Sequence, residues 1–154
     1  EMARTGEINL PLFEALNQLS FYANKTAKSL GREDMENDFL PLIGRFSLSP
    51  ADNLSTLVEH FAYQIASVIR SFSKKEFPLI LITGGGAYNT HFVERLDHYL
   101  EKKWKHYEAN PELIEFKEAL IFAFLGALRL RGEPNALASV TGAQSDSCGG
   151  VIYG

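Results

Sequence analysis

The sequence predicts an α/β fold, rich in helix and short of strands. Three observations point that way. Stretches with apolar residues at steps of three and four alternate with two short apolar runs, in the order helix, helix, long helix, strand, glycine turn, helix, strand, helix, tail. The first strand runs straight into Thr83-Gly84-Gly85-Gly86. The 154 residues are 45% apolar and 22% charged, which is too apolar for disorder and suits one domain of a soluble globular protein.

Each element has a local reason. Between Asn9 and Leu19, the residues Leu10, Phe13, Leu16 and Leu19 share one side, with Asn9 as cap and Pro11 in the first turn. A polar stretch from Ala23 to Glu33 follows. Glu33 to Arg45 reads as a short helix, apolar at Met35, Phe39, Leu42 and Ile43, and interrupted near Pro41. Ser49 and Pro50 then open a long helix. Leu54, Leu57, Val58, Phe61, Ala62, Ile65, Val68, Ile69 and Phe72 give it a single buried stripe, and Ser73-Lys74-Lys75 end it.

Phe77 to Ile82 is a continuous apolar run between helices, the pattern of a strand covered on both faces in a parallel sheet. After the glycines, Asn89-Thr90 cap a helix that buries Phe92, Val93, Leu96, Tyr99 and Leu100. Trp104 to Tyr107 is a weaker strand. Pro111 to Arg131 is apolar nearly all round, as in a helix central to a larger core, and Gly132 ends it. Two strands are too few to cover these helices. The remaining strands are expected to lie outside this chain or to come from a partner. The chain opens on Glu1 rather than Met, which fits the same expectation of a piece of something larger.

Composition excludes several functions. The net charge of −4 leaves no basic surplus for a nucleic-acid backbone. The longest apolar stretch, Ala119 to Leu128, is half of the about 20 residues a membrane span needs. No charged n-region followed by an apolar h-region opens the chain. A single cysteine, Cys148, forms no internal disulfide and suggests a reducing compartment, hence a cytoplasmic protein.

The sharpest candidate for chemistry is the glycine turn. A strand ending in glycines and opening into a helix gathers backbone N–H groups and a helix N-terminus at one point, where anions bind. A plain tight turn reads the same way on the triplet alone. It matches neither G-x-G-x-x-G nor a Walker loop. Lys28 and Arg32, around Gly31 with Glu33, could hold a sugar or phosphate or be a solvated loop. Glu118, within an apolar helix, needs a partner, a cavity or water. His60, His91, His98 and His106 lack zinc-ligand spacing, so no metal site is read here. Cys148 has no identifiable base, and Ser139-Val140-Thr141-Gly142-Ala143 is a small-residue loop.

Taken in order, several stretches resemble one family. They are Gly6-Glu7-Ile8-Asn9; Lys28-Ser29-Leu30-Gly31-Arg32-Glu33; Leu48-Ser49-Pro50-Ala51-Asp52; Thr83-Gly84-Gly85-Gly86-Ala87-Tyr88-Asn89; Glu118 to Leu125; and Pro134 to Ala143, ending Gly150-Val151-Ile152-Tyr153. Across essentially its whole length the chain resembles the C-terminal half of anhydro-N-acetylmuramic acid kinases, in the actin, sugar-kinase and Hsp70 ATPase superfamily. Leu30 departs from the family's usual small hydroxyl residue, and the final Tyr-Gly from its Tyr-Pro.

The resemblance implies residues 1–154 of the later part of the second lobe of an actin-like (ribonuclease H-like) ATPase, with the N-terminal lobe absent. It implies ATP and Mg²⁺ as cofactors. The implied reaction opens the 1,6-anhydro ring of anhydro-N-acetylmuramic acid with water and phosphorylates O6, giving N-acetylmuramic acid 6-phosphate for cell-wall recycling. Gly84, Gly85, Gly86 and Asn89 would lie against the nucleotide. Glu118, Lys28 and Arg32 would face substrate or cleft. The Asp that acts as general base has no counterpart in this chain, so the 154 residues alone are expected not to turn over substrate. The missing lobe, or a homodimer partner, would cover the apolar helices. Another actin-like sugar kinase or ATPase, or a non-catalytic helical interaction domain, are the competing expectations.

Overall fold

A computed structural model describes residues 1–24 and 29–153. The chain divides into two compact units, Glu1–Glu108 and Ala109–Gly154. It is helix-rich α/β with a small parallel sheet of two strands among the described residues.

The first unit opens with α1 (Met2–Thr5) and α2 (Leu10–Asn17). Asn9 caps α2 as expected, its Oδ1 accepting from Leu12 N–H at 2.9 Å. Between them Gly6 lies against the backbone of the long helix. A Cβ there would sit 2.1 Å from Ala51 O and 2.7 Å from Asp52 N. α3 (Ser20–Ala23) follows.

The expected break near Pro41 takes another form. α4 (Arg32–Asp34), a π-helical turn (Met35–Phe39) and α5 (Leu40–Gly44) run on without a gap. Proline's ring crowds the carbonyl four residues back and offers no N–H. The wider π turn, closed by Leu40 N–H donating to Met35 O, lets the helix continue into Pro41.

The long helix α6 (Pro50–Phe72) starts where the sequence says, with Ser49 Oγ accepting from Asp52 N–H at 3.1 Å. Its single buried stripe does not materialise. Ser55, Thr56, Val58, Glu59, His60, Ala62 and Ala66 are the buried positions, while Leu54, Ile65, Val68 and Phe72 are exposed. Most of the hidden positions are small or polar because neighbours approach α6 closely there, Asn9 at Thr56, Asn17 and Tyr22 at His60, and another helix at Ala62 and Ala66. The larger apolar side chains point elsewhere.

The helix against Ala62 and Ala66 is α7 (Thr90–Tyr99), which links β1 (Leu79–Ile80) to β2 (Lys105–His106). The strands pair in parallel, Leu79 with Lys105 and Ile80 with His106. Lys105 N–H donates to Pro78 O at 2.9 Å and Tyr107 N–H to Ile80 O at 2.8 Å. Ala62 and Ala66 of α6 meet Leu96 of α7 and Leu100 just after its end, with Ile69, Ile80, Ile82, Phe92, Tyr99 and Trp104 packed around them. The parallel pairing agrees with the sequence, but the cover on both faces does not. Ile80 and Ile82 face this core while Leu79 and Leu81 are exposed.

A second core joins Leu12, Leu16 and Phe39, with Leu19, Tyr22, Met35 and Leu57 against it. His60 is fully buried beside it. Its Nδ1 lies 2.9 Å from Asn17 Oδ1 and its Nε2 2.8 Å from Tyr22 Oη. An amide oxygen only accepts, so Nδ1 carries the proton and Nε2 accepts from the tyrosine hydroxyl. Burial lowers the His60 pKa to about 4, which keeps the ring neutral.

In the second unit, α8 (Pro111–Leu130) is capped by Asn110, whose Oδ1 accepts from Leu113 N–H at 2.7 Å. Phe116 is non-helical at φ −105°, ψ 15° and kinks it. Gly132, at φ +70°, ends it, with Glu133 N–H donating to Leu128 O and Gly132 N–H to Arg129 O. That pair of bonds is the Schellman arrangement. No α8 residue is buried, so within this chain the helix is not central to a core. Beyond it, Asn135 clasps the tail. Its Nδ2 donates to Leu125 O and Gly149 O, and its Oδ1 accepts from Gly149 N–H at 2.7 Å. A short α9 (Ala138–Thr141) completes the unit.

Candidate functional site

The site is built where β1 gives way to α7. Gly84 takes φ +70°, ψ −169°, a backbone region that L side chains essentially do not enter. A 3₁₀ turn (Gly85–Tyr88) intervenes before α7, so the glycines do not lead directly into the α-helix as the sequence suggests. Ala87 N–H donates to Gly84 O at 3.0 Å and Asn89 N–H to Gly86 O at 3.2 Å. Asn89 then caps α7, its Oδ1 accepting from Phe92 N–H at 3.1 Å. Two helical starts follow each other within six residues, and each leaves its first N–H groups without an intrahelical acceptor.

The three glycines differ in why they are glycine. Backbone conformation requires it at Gly84. Gly85 and Gly86 have no such φ, and a Cβ at either would meet no described atom within 4 Å. Packing forces Gly6 to lack a side chain, whereas nothing in the described fold makes that demand at Gly85 or Gly86. Their bare backbone faces open space.

Side chains fix α7 on two sides. Arg95 donates from Nη2 to Glu59 Oε1 at 2.7 Å and from Nε to Oε2 at 2.5 Å, a fork-to-fork pair with α6. Tyr99 Oη donates to the same Oε1 at 2.6 Å. Burial alone would raise the Glu59 pKa, but these donors outweigh it and hold the carboxyl below its usual range. The Tyr99 hydroxyl is pushed up to about 12, by burial first and then by Glu59. On the other side Arg4 forks onto Glu94, 2.6 Å to each oxygen, and Arg4 Nη2 also reaches Thr90 Oγ1 at 3.3 Å. Sequence reading singles out neither Arg4 nor Glu94. They lie 90 residues apart and carry no local motif.

Three further residues are drawn from the sequence, Arg32, Lys28 and Glu118. Arg32 pairs along its own helix, Nε donating to Glu36 Oε1 at 2.6 Å, and is largely exposed. Lys28 lies outside the described residues. Glu118 is exposed on α8, in the second unit. Among the described residues no three His, Cys, Asp or Glu side chains gather to hold a metal ion. Among them, too, no helix is long and apolar enough to cross a membrane.

The sequence profile of the anhydro-N-acetylmuramic acid kinase family (AnmK) matches residues 1–154. The chain belongs to that family. Among named AnmK relatives, the anhydro-N-acetylmuramic acid kinase of Saccharophagus degradans is 34% identical over 163 residues, covering 98% of this chain and 41% of that protein. Those of Vibrio cholerae and of Legionella pneumophila strain Paris are 33% and 34% identical, again over 98% of this chain and 41% of theirs. This AnmK-family chain therefore spans about two-fifths of the length of the relatives it matches.

Proposed function

We propose that the chain is the later part of the second lobe of an ATP-dependent sugar kinase with an actin-like fold. In this reading the whole enzyme hydrolyses the 1,6-anhydro ring of anhydro-N-acetylmuramic acid and phosphorylates O6, giving N-acetylmuramic acid 6-phosphate in the cytoplasm for cell-wall recycling. Family membership supports the reaction class. The bare backbone of Gly85 and Gly86 carries the site assignment, because it leaves room for a nucleotide where no packing demand explains the missing side chains.

Gly84, Gly85 and Gly86 would let the phosphate-bearing part of ATP lie against main chain, and Asn89 would hold the helix start that follows. Phosphoryl transfer depends mostly on positioning and charge neutralisation, so a rigid turn on a clamped helix is a suitable contribution from one lobe. The general-base Asp is expected upstream of these 154 residues, which also lack the N-terminal lobe. Glu118, Lys28 and Arg32 keep a substrate or cleft role in the proposal. That lobe, or a second copy in a homodimer, would cover the exposed apolar helices.

The test is ATP binding by calorimetry in the intact enzyme carrying Gly85→Val. The open space at Gly85 lets the fold accept the side chain, while the nucleotide would meet it. The expected result is a Kd for ATP at least about tenfold higher with an unchanged melting temperature. An unaltered Kd would remove the turn from the nucleotide site and return it to a plain strand-to-helix connection.

A further inference from the structure

Helix α7 begins at Thr90, directly after Asn89 and the 3₁₀ turn Gly85–Tyr88, so charges held at its first two turns act on the same helix start. Those two turns carry one carboxylate, Glu94, four residues after Thr90 and so about 6 Å along the axis from the helix start. A helix N-terminus favours an anion next to it, but a second fixed negative charge one turn in opposes the phosphates that the turn is meant to receive. Glu94 would therefore work against the site unless something neutralises it.

Arg4 is placed to do so. It reaches from α1 across to α7, with Nη1 on Glu94 Oε2 and Nη2 on Glu94 Oε1, both at 2.6 Å. The same Nη2 lies 3.3 Å from Thr90 Oγ1, so one guanidinium spans the first turn of α7 from its first residue to its fifth. Both terminal nitrogens are engaged, which leaves Arg4 acting through Glu94 rather than reaching for phosphate itself. His91 is the other titratable group facing this carboxylate, with Nδ1 3.9 Å from Glu94 Oε2 and no hydrogen-bond partner. A bidentate fork fixes both the charge and the orientation of its partner, which a lysine would not.

We propose that Arg4 is a positioning residue of the nucleotide site: it holds Glu94 turned onto itself and cancels its charge, so that the start of α7 offers phosphates its N–H dipole rather than a carboxylate. The proposal rests on the nucleotide reading of Gly84–Gly86 given above. An ordinary surface ion pair contributes little to stability. The role assigned here is electrostatic shaping of the neighbouring site, and it predicts a pattern that a merely structural pair would not produce.

The experiment is steady-state kinetics of the intact enzyme at low salt, with Arg4→Ala, Glu94→Ala and the double variant. Arg4→Ala should raise KM for ATP about five- to tenfold, with kcat and the sugar KM within about twofold. The rise should shrink as salt is added. Removing Glu94 as well should return KM for ATP to within about twofold of the parent, because the unopposed charge is then gone. Should Arg4→Ala lose its fold, Arg4→Met keeps the apolar stem and carries the same comparison. An unchanged KM in Arg4→Ala, or a double variant no better than the single, overturns the proposal. Gly85→Val run in parallel separates the two claims. If it raises KM for ATP while Arg4→Ala does not, only the role of Arg4 falls; if neither does, the nucleotide reading falls and takes this one with it.

Discussion

Replacing Gly6 by alanine should destabilise the protein more than any other single methyl group added at a glycine of the first unit. The new Cβ would lie 2.1 Å from Ala51 O, 2.2 Å from Ala51 C and 2.7 Å from Asp52 N. All three are backbone atoms in the first turn of α6, so no rotamer change relieves the overlap. The chain around Gly6 must move away from α6. Two hydrogen bonds flank the contact, Glu7 N–H to Asp52 Oδ1 at 2.8 Å and Asn9 N–H to Thr56 Oγ1 at 2.9 Å. The first ends on an exposed carboxylate in water and contributes little, while the second is neutral and half-buried, at about 0.5–1.5 kcal/mol. The backbone overlap together with the loss of the second bond gives an expected destabilisation of about 1–3 kcal/mol. Urea unfolding of the intact protein measures it as a fall in midpoint at constant slope. A change below about 0.5 kcal/mol would mean that α1 and α2 are not held against α6 by this close approach.

Three further outcomes follow from other parts of the molecule. Glu59→Gln leaves the half-buried Arg95 without its counter-charge and should lower stability by about 1–3 kcal/mol in the same unfolding assay; an effect below about 0.5 kcal/mol would show that α7 is not held through this pair. His60 has a folded pKa depressed to about 4, so the unfolded chain binds its proton first as pH falls, and stability should drop by about 1.4 kcal/mol per pH unit between roughly pH 6 and 4. That fraction should vanish in His60→Gln, while the steeper losses from carboxylates such as Asp52 and Glu59, whose pKa values are lowered, come at still lower pH. The 154-residue chain by itself should bind a hydrophobic dye and self-associate, since Phe116, Leu120, Phe122, Phe124 and Leu130 of α8 are exposed; a monodisperse, dye-silent sample in light scattering and fluorescence would contradict the exposed face.

Much of the fold is legible in the sequence where local chemistry decides it. Asn9, Ser49, Asn89 and Asn110 all cap helices, and three of those caps are followed by a proline in the first turn. Gly132 ends α8 by a backbone rule that needs no tertiary context. What escapes local reading is decided by distant neighbours. The apolar period along α6 does not say which side a partner takes, and α7 chose the face with Ala62 and Ala66 because small residues allow close approach. Gly6 looks like any turn glycine until Ala51 is found against it. At the candidate site the glycine triplet is legible, but Arg4 and Glu94 are not, because nothing within a window of a few residues joins position 4 to position 94.

The contrast among the glycines gives the site assignment its logic. A glycine in a folded chain sacrifices backbone entropy and side-chain packing, so its presence asks for a compensating reason. Gly6 has a steric reason inside the first unit and Gly84 a conformational one. Gly85 and Gly86 have neither, and alanine there would be accepted by every described neighbour. Stability alone would favour the alanine, by about 0.4–1 kcal/mol at a position whose backbone already permits it. In the proposed reading these missing side chains make room for something outside the described residues that comes up against the main chain at that point. In that reading the partner is the nucleotide, whose phosphates need bare N–H groups, and α7, pinned by Glu59 on one side and Arg4 on the other, would give those groups a fixed address.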